Sequence, residues 1–154
     1  MSKNTTLVSI ALLLGMALTP ILPSTAALAV DDDTTTGSVD LSSARDKIKA
    51  GHYAAALDEL HGLAEDTQQA DIYNLLGFTL RKTGDYATSL TYYTKALQLQ
   101  PDYKPAREYL GELYAETGDL DRAREQLAVL VKLCPGGCEE RQDLENVLKQ
   151  GAAD

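Results

Sequence analysis

Two consecutive stretches of the chain repeat one pattern: "ADIYNLLGFTLRKTGDYATSLTYYTKALQLQPDY" at residues 70–103 and "KPAREYLGELYAETGDLDRAREQLAVLVKLCPGG" at residues 104–137. The landmarks that the two copies share recur at one constant interval. They are Leu-Gly at 76–77 and 110–111, Gly-Asp at 84–85 and 118–119, and proline at 101 and 135. A constant internal period within the range of about 20–50 residues indicates a repeat protein, in which each unit packs only against its neighbours.

Each copy is predicted to form two amphipathic helices joined by a tight turn. Apolar residues recur at spacings of three and four, as at Leu90, Tyr93 and Leu97, which places them on one helix face. The Thr-Gly-Asp between the helices supplies glycine for a left-handed turn and aspartate for the next N-cap. Gly77 and Gly111 lie inside the predicted first helices, where glycine costs about 1 kcal/mol relative to alanine. We therefore expect a neighbouring helix to approach both positions too closely for a side chain.

This pattern resembles the tetratricopeptide repeat, a helix–turn–helix unit that stacks into a right-handed superhelix. The resemblance is carried in the second unit by Leu76, Gly77, Gly84, Asp85, Tyr86, Tyr93, Ala96 and Pro101. It implies an all-α fold, a right-handed α-solenoid of about three helix–turn–helix repeats followed by a C-terminal capping helix. Ser89 departs from the family pattern, which usually has alanine at that position.

The resemblance also sets the organisation that we expect for a repeat domain at residues 41–151. The expected segments are repeats at 41–69, 70–103 and 104–137, a capping helix at 138–150 and a tail at 152–154. The first repeat is degenerate because it lacks the Leu-Gly pair, and terminal repeats are commonly atypical. Leu144, Val147 and Leu148 form the apolar stripe of the capping helix. Seven helices are therefore predicted between residues 41 and 149.

Residues 1–29 have the order that is typical of a cleavable secretory signal: a basic residue, an apolar run and then small residues around the cleavage point. The apolar run of about twelve residues is shorter than the roughly 20 that span a bilayer as a helix. The alternative is an uncleaved membrane anchor. We expect cleavage after Ala29, leaving residues 30–40 as a flexible acidic linker.

The net charge of the chain limits the classes of partner that it can bind. The formal net charge is −9 at pH 7, and loss of Lys3 with the signal would make it about −10. Such a chain repels nucleic acid and anionic lipid surfaces. No second long apolar run follows the signal, so we expect no membrane insertion after cleavage. The expected location is the bacterial periplasm, where disulfides persist.

The two cysteines of the chain, Cys134 and Cys138, flank a Pro-Gly-Gly turn. A tight turn between two helices can bring their Cα atoms within the roughly 4.4–6.8 Å that a disulfide needs, and a disulfide is the interpretation we favour. Free thiols remain an alternative. So do a Cu(I) site and a redox pair whose thiol pKa is lowered at a helix N-terminus.

The sequence contains no Gly-rich phosphate loop, nucleophile elbow or zinc signature. His52 and His61 have neither metal-ligand spacing nor a neighbouring acid cluster, which argues against a metal site. We therefore expect no enzyme activity, no cofactor and no metal.

Proteins of the resembling family bind extended peptides or helices along a concave face that is lined by the first helix of each unit. Carried over to this chain, the partner-binding groove would consist of Asn74, Phe78, Arg81, Lys82, Glu108, Glu112, Ala115 and Glu116. Glu108, Glu112 and Glu116 follow an i, i+4, i+8 spacing, and like charges at this spacing cost a few tenths of a kcal/mol per pair. This acidic stripe indicates either a basic partner segment or a solvated surface.

The resulting functional hypothesis is a non-catalytic adaptor or scaffold that binds a protein or peptide partner in the cell envelope. One alternative is a thiol-based redox or copper-handling accessory protein that uses Cys134 and Cys138. Another is a structural subunit that self-associates through the ends of the solenoid. The sequence leaves the oligomeric state and the identity of the partner open.

Overall fold

The computed structural model describes residues 39–151, and this part of the chain is helical without a β-strand. The predicted signal, most of the predicted linker and the tail lie outside the described residues. The helices are α1 (Ser42–Lys49), α2 (Tyr53–Asp66), α3 (Ala70–Lys82), α4 (Tyr86–Leu99), α5 (Lys104–Glu116), α6 (Leu120–Leu133) and α7 (Glu139–Gln150). The predictions of seven helices and of an all-α solenoid are confirmed.

The turns inside the second and third repeats have the conformation that Thr-Gly-Asp predicts. Gly84 and Gly118 have φ of +84° and +83°, in the left-handed region that residues with a side chain rarely adopt. Asp85 then caps α4, and its Oδ1 accepts a hydrogen bond of 3.1 Å from the backbone N–H of Thr88. Asp119 caps α6 in the same way at 3.1 Å. The two helices of each of these units are therefore joined by a glycine turn and an aspartate cap.

The helices stack as consecutive hairpins, with α3 packed on α4, α5 packed on α6, and α7 packed on both α5 and α6. The largest fully buried side chains are distributed along this stack: Leu60, Ile72, Leu76, Tyr93, Leu130 and Leu144. Among residues 39–151, no helix combines the length and the apolar composition that crossing a bilayer requires.

Gly77 and Gly111 mark close contacts, as predicted. A Cβ on Gly77 would lie 2.7 Å from two carbons of the Tyr93 ring, and a Cβ on Gly111 would overlap the side chain of Leu144. Leu144 of α7 follows Leu110 by the same interval that separates Leu110 from Leu76, so α7 continues the repeat register. It occupies the place of the first helix of a further unit.

Ser89, the departure from the family pattern, has a structural role. It is fully buried, and its Oγ donates a hydrogen bond of 2.7 Å to the backbone carbonyl of Gly77. Gly77 itself lies against the ring of Tyr93 on α4. A serine is accommodated here because the hydroxyl finds an acceptor, as buried polar groups require.

Candidate partner-binding face

The first helices of the units, α1, α3, α5 and α7, are linked in chain order, and we call the surface they share the A-helix face. One or more ion pairs join each of these helices to the next. The pairs are Arg45–Asp71 at 3.7 Å between α1 and α3, Arg81–Glu112 at 2.5 Å between α3 and α5, and Lys104–Glu140 at 3.7 Å between α5 and α7. Much of the charge on this face is therefore neutralised within the chain.

Arg81 forms the densest of these links. Its side chain is 3% exposed, and its Nη2 and Nη1 lie 2.5 and 2.6 Å from carboxylate oxygens of Glu112 and Glu116. The guanidinium carbon lies 5.6 Å from the ring centroid of Phe78 and 5.7 Å from that of Tyr109. Stacking against aromatic faces and bidentate pairing are the two modes that guanidinium geometry favours. Arg81 is therefore a fixed connection between two repeats and is not a free cation on the surface.

The surroundings of Arg81 keep it charged. Burial opposes the charge, but the neighbouring Tyr93, Glu112 and Glu116 outweigh it and raise the pKa of Arg81. Burial also raises the pKa of Tyr93, against the effect of the nearby guanidinium. The buried phenol stays neutral beside Arg81, so the positive charge of this network is matched by the two carboxylates.

The three glutamates of the acidic stripe predicted from the sequence lie in different environments. Glu112 and Glu116 are paired with Arg81, so the like-charge cost expected between them is offset by an opposite charge. Glu108, the third member, is 7% exposed and lies outside this network. The part of the stripe that remains without a cation is therefore Glu108 alone.

Glu108 is a buried carboxyl group in an acidic environment. The pKa of Glu108 is raised to about 8, mainly by burial and further by the neighbouring Glu112, Asp143, Glu140 and Glu139. Within residues 39–151, no side chain forms an ion pair or a hydrogen bond with it. The group is therefore mainly protonated at neutral pH.

Asn74 is the counterpart of Glu108 one repeat earlier, at the same position of α3 that Glu108 holds in α5. It is 3% exposed, and its Oδ1 is buried without a hydrogen-bond partner in the described part of the chain. Buried acceptors without partners are uncommon in folded proteins. Two adjacent A helices thus each place a largely buried polar side chain at the same repeat position, and at Asn74 the oxygen itself is buried without a donor among residues 39–151.

The remaining predicted groove residues are more accessible. Lys82 is exposed, with its Nζ 5.3 Å from the ring centroid of Phe78, while Phe78 and Ala115 are half-buried. The Phe78 and Tyr109 ring centroids are 5.0 Å apart. The structure therefore brings together Phe78, Arg81, Lys82, Glu112 and Glu116, and it places Asn74 and Glu108 deeper in the protein.

Sequence reasoning missed the contribution of α7 to this face. Glu139, Glu140 and Asp143 all act on Glu108, but they were assigned only to a capping helix. The signal was available, because residues 138–150 fall one full repeat after α5 at residues 104–116. Extending the repeat register by one more helix would have placed these acids beside Glu108.

The cysteines lie where the turn was expected, with Cys134 directly after α6 and Cys138 directly before α7. Their sulfur atoms are 2.06 Å apart and their Cα atoms 6.0 Å apart, which is disulfide distance. Across residues 39–151, the structure gathers no group of three or more side chains that could hold a metal ion.

Comparison with known protein families identifies the family of the repeats. Two family models, each described as a tetratricopeptide repeat, match residues 41–103 and 80–143. Together they cover the chain from α1 into α7. The chain is a tetratricopeptide repeat protein. Its repeats are interaction units, in which function resides in the side chains that each helix presents and not in the fold itself.

Two curated relatives of this tetratricopeptide repeat protein share part of its sequence. One is the uncharacterized protein ycf37 of Guillardia theta, 34% identical over 80 residues, which cover 52% of this chain and 43% of that protein. The ycf37 protein of Pyropia yezoensis is 37% identical over 54 residues, covering 35% of this chain and 30% of that protein. The matched regions span less than half the length of either relative.

Solved structures of similar fold are more distant in sequence. The type III secretion translocator chaperone SycD of Yersinia enterocolitica has a TM-score of 0.64 at 17% identity, covering 73% of this chain and 88% of its own. MamA has a TM-score of 0.58 at 19% identity, covering 71% of this chain and 72% of its own. At this level of identity, the likeness concerns the fold.

Proposed function

We propose that this tetratricopeptide repeat protein is a non-catalytic adaptor that binds a segment of a partner protein on the A-helix face. The observation that carries the proposal is the Arg81 network. The ion pairs of the buried Arg81 and the tilted contact between the Phe78 and Tyr109 rings hold α3 and α5 in one arrangement. The exposed Lys82 lies beside them. A preorganised surface loses less conformational entropy when it binds an extended segment.

The fold relatives support an interaction role. SycD is a type III secretion translocator chaperone. Repeats of this family stack into extended surfaces that suit such binding. We assign no catalytic step to the buried groups of the face, because their observed contacts join helices to one another.

Site-specific photo-crosslinking tests the proposal. A photoreactive amino acid would replace Lys82 on the A-helix face or, as a control, the exposed Arg124 on α6. We expect Lys82 to crosslink in living cells to a defined segment of one partner, identified by mass spectrometry, and Arg124 not to do so. Equal crosslinking from both positions, or none from Lys82, would rule out the A-helix face as the working surface.

We further propose that the protein acts in the periplasm after removal of residues 1–29, with Cys134 and Cys138 joined as a disulfide that anchors α7. Support comes from the signal-like N-terminus and from the sulfur–sulfur distance. The intact mass of the protein from a periplasmic fraction should equal that of residues 30–154 less two hydrogen atoms. A full-length mass with both thiols free would contradict both parts.

A cysteine variant separates the adaptor proposal from the thiol-based alternative. The adaptor proposal expects the Cys134→Ser/Cys138→Ser variant to crosslink the same partner segment from Lys82 as the wild type. Loss of crosslinking in that variant, or release of the wild-type partner by a reductant, would favour a redox or copper-handling role instead.

A further inference from the structure

We infer that the acidic part of the A-helix face between α5 and α7, centred on Glu108, binds a lysine or arginine side chain of the partner segment. This inference rests on the proposed adaptor function and deepens it by naming the chemistry that the partner must present. We call the group formed by Glu108, Glu139, Glu140 and Asp143 the acidic site.

The first argument is the balance of charge along the A-helix face. Asp71 is paired with Arg45, Glu112 and Glu116 with Arg81, and Glu140 with Lys104. In the described part of the chain, no basic side chain pairs with the three acids that remain between α5 and α7, which are Glu108, Glu139 and Asp143. The face thus supplies a cation at each junction and leaves an excess of negative charge at this one.

The second argument is the burial of Glu108. Carboxylates are almost never buried without a partner, yet this one is 7% exposed and has other carboxylates as its charged neighbours. The group tolerates this position by keeping its proton. A positively charged side chain would supply the partner that Glu108 and its acidic neighbours all lack.

The third argument is the unsatisfied Asn74 on the neighbouring A helix. Its Oδ1 is a buried acceptor without a donor among residues 39–151. Lysine and arginine side chains carry three and five N–H donors and no acceptor. A segment crossing α3 and α5 therefore matches the face if it presents donors and positive charge, and a segment that presents acceptors or negative charge does not.

Binding should be coupled to proton release. The cationic side chain enters charged, the O–H bond of the Glu108 carboxyl breaks, and its proton leaves to the buffer. The charged groups that face Glu108 are Glu112 on α5, itself paired with Arg81 of α3, together with Glu139, Glu140 and Asp143 on α7. Lys104 is paired with Glu140. With a pKa of about 8 for Glu108, affinity should rise with pH up to about pH 8 and then level off.

The test uses a fluorescein-labelled decapeptide of alternating lysine and serine, with a glutamate–serine decapeptide as its counterpart. Anisotropy gives the affinity, and calorimetry at pH 7 in two buffers of different ionisation enthalpy gives the protons released. We expect the wild type to bind the lysine peptide and to release about 0.9 proton per peptide, the fraction protonated for a pKa of about 8.

The matched variants are Glu108→Gln and Glu125→Gln, which replace a carboxyl group by an amide on α5 and on the exposed surface of α6. Glu108→Gln should abolish proton release and weaken binding about tenfold, as expected for loss of a charged hydrogen-bonding partner. Glu125→Gln should leave both readings close to wild type. Asp143→Asn, on α7, should weaken binding while retaining proton release.

Several outcomes would overturn the inference. These are equal affinity for the two peptides, equal weakening by Glu108→Gln and Glu125→Gln, or proton release that persists in Glu108→Gln. A partner segment that crosslinks to Lys82 but contains no basic residue would also refute the inference while leaving the adaptor function intact. Failure of Lys82 to crosslink at all would refute the adaptor function itself.

Discussion

At the scale of single residues, two helical glycines differ in what surrounds them. A Cβ on Gly77 would meet the buried ring of Tyr93 at 2.7 Å, whereas one on Gly62 of α2 would meet nothing within 4 Å. Gly77→Ala should lower the free energy of unfolding by about 1–3 kcal/mol through overpacking. Gly62→Ala should raise it by about 0.5–1 kcal/mol, because alanine favours the helix. Urea unfolding followed by circular dichroism measures both, and stabilisation by both changes would disprove the close contact.

The buried carboxyl of Glu108 should make the stability of the fold depend on pH. Its pKa is about 8 in the folded chain against an ordinary value of 4.5, so the folded state binds more protons between these values. Stability then falls as pH rises. Glu108 therefore does not lower the free energy of unfolding below about pH 4.5, and it lowers it most above pH 8. The free energy of unfolding of Glu108→Gln, relative to that of the wild type, should therefore rise by about 1–4 kcal/mol as the pH increases from 4.5 to 8.

Unfolding by urea at several pH values, compared with Glu125→Gln, separates this effect from a general change in net charge. A Glu108→Gln curve that stays parallel to wild type across this pH range would show that the carboxyl titrates normally.

The residues that could be predicted from the sequence are those whose roles are local. Gly84 and Asp85 follow from the Thr-Gly-Asp turn, and Gly77 follows from the cost of glycine inside a helix. The charge environments of Arg81 and Glu108 cannot be predicted from their own helices alone, since they depend on side chains of the following A helix, such as Glu112 for Arg81 and Asp143 for Glu108. Spacing along one helix cannot reveal charges that a neighbouring helix provides.

At the scale of single elements, α7 depends on contacts at its start and its centre. Leu144 is fully buried against Gly111, and the cysteines close a short loop at its N-terminus. If the disulfide forms as proposed, Cys134→Ser/Cys138→Ser should lower stability by about 2 kcal/mol, according to the chain-entropy relation for a loop of this length.

Hydrogen exchange locates that loss. Amides of α7 should exchange faster in the double variant, while those of α3 and α4 should change little, because local opening begins at the freed end. The wild-type protein treated with a reductant provides the matched control and should behave like the variant. Uniformly faster exchange along the chain would place the disulfide in a different role.

At the scale of the whole molecule, Arg81 connects the two halves of the stack. Arg81→Met keeps an apolar stem but unpairs Glu112 and Glu116, which then repel each other. Since Glu116 is partly exposed, we expect a loss of about 1–3 kcal/mol, below the cost of breaking a fully buried pair. Helices α5–α7 should then unfold at lower urea concentration than α1–α4, because repeats are stabilised mainly by their neighbours.

Arg124→Met is the matched control for this experiment. Arg124 pairs with Asp121 on the exposed surface of α6, and loss of such a pair should change stability by less than about 0.5 kcal/mol. If the Arg81 and Arg124 variants lose equal stability, the Arg81 network is not the connection between the two halves.

The contact between Gly111 and Leu144 also determines how the protein can change in length. Leu110 holds the same repeat position as Leu144, so a duplicate of residues 104–137 inserted after Gly137 would place a leucine opposite each copy of Gly111. An added whole module would keep a leucine opposite the helical glycine at each new junction, whereas other lengths would turn polar side chains inward. Each added module would carry another copy of Glu108, but only the last copy would adjoin the acids of α7, so a longer stack would still offer a single acidic site, at its C-terminal end.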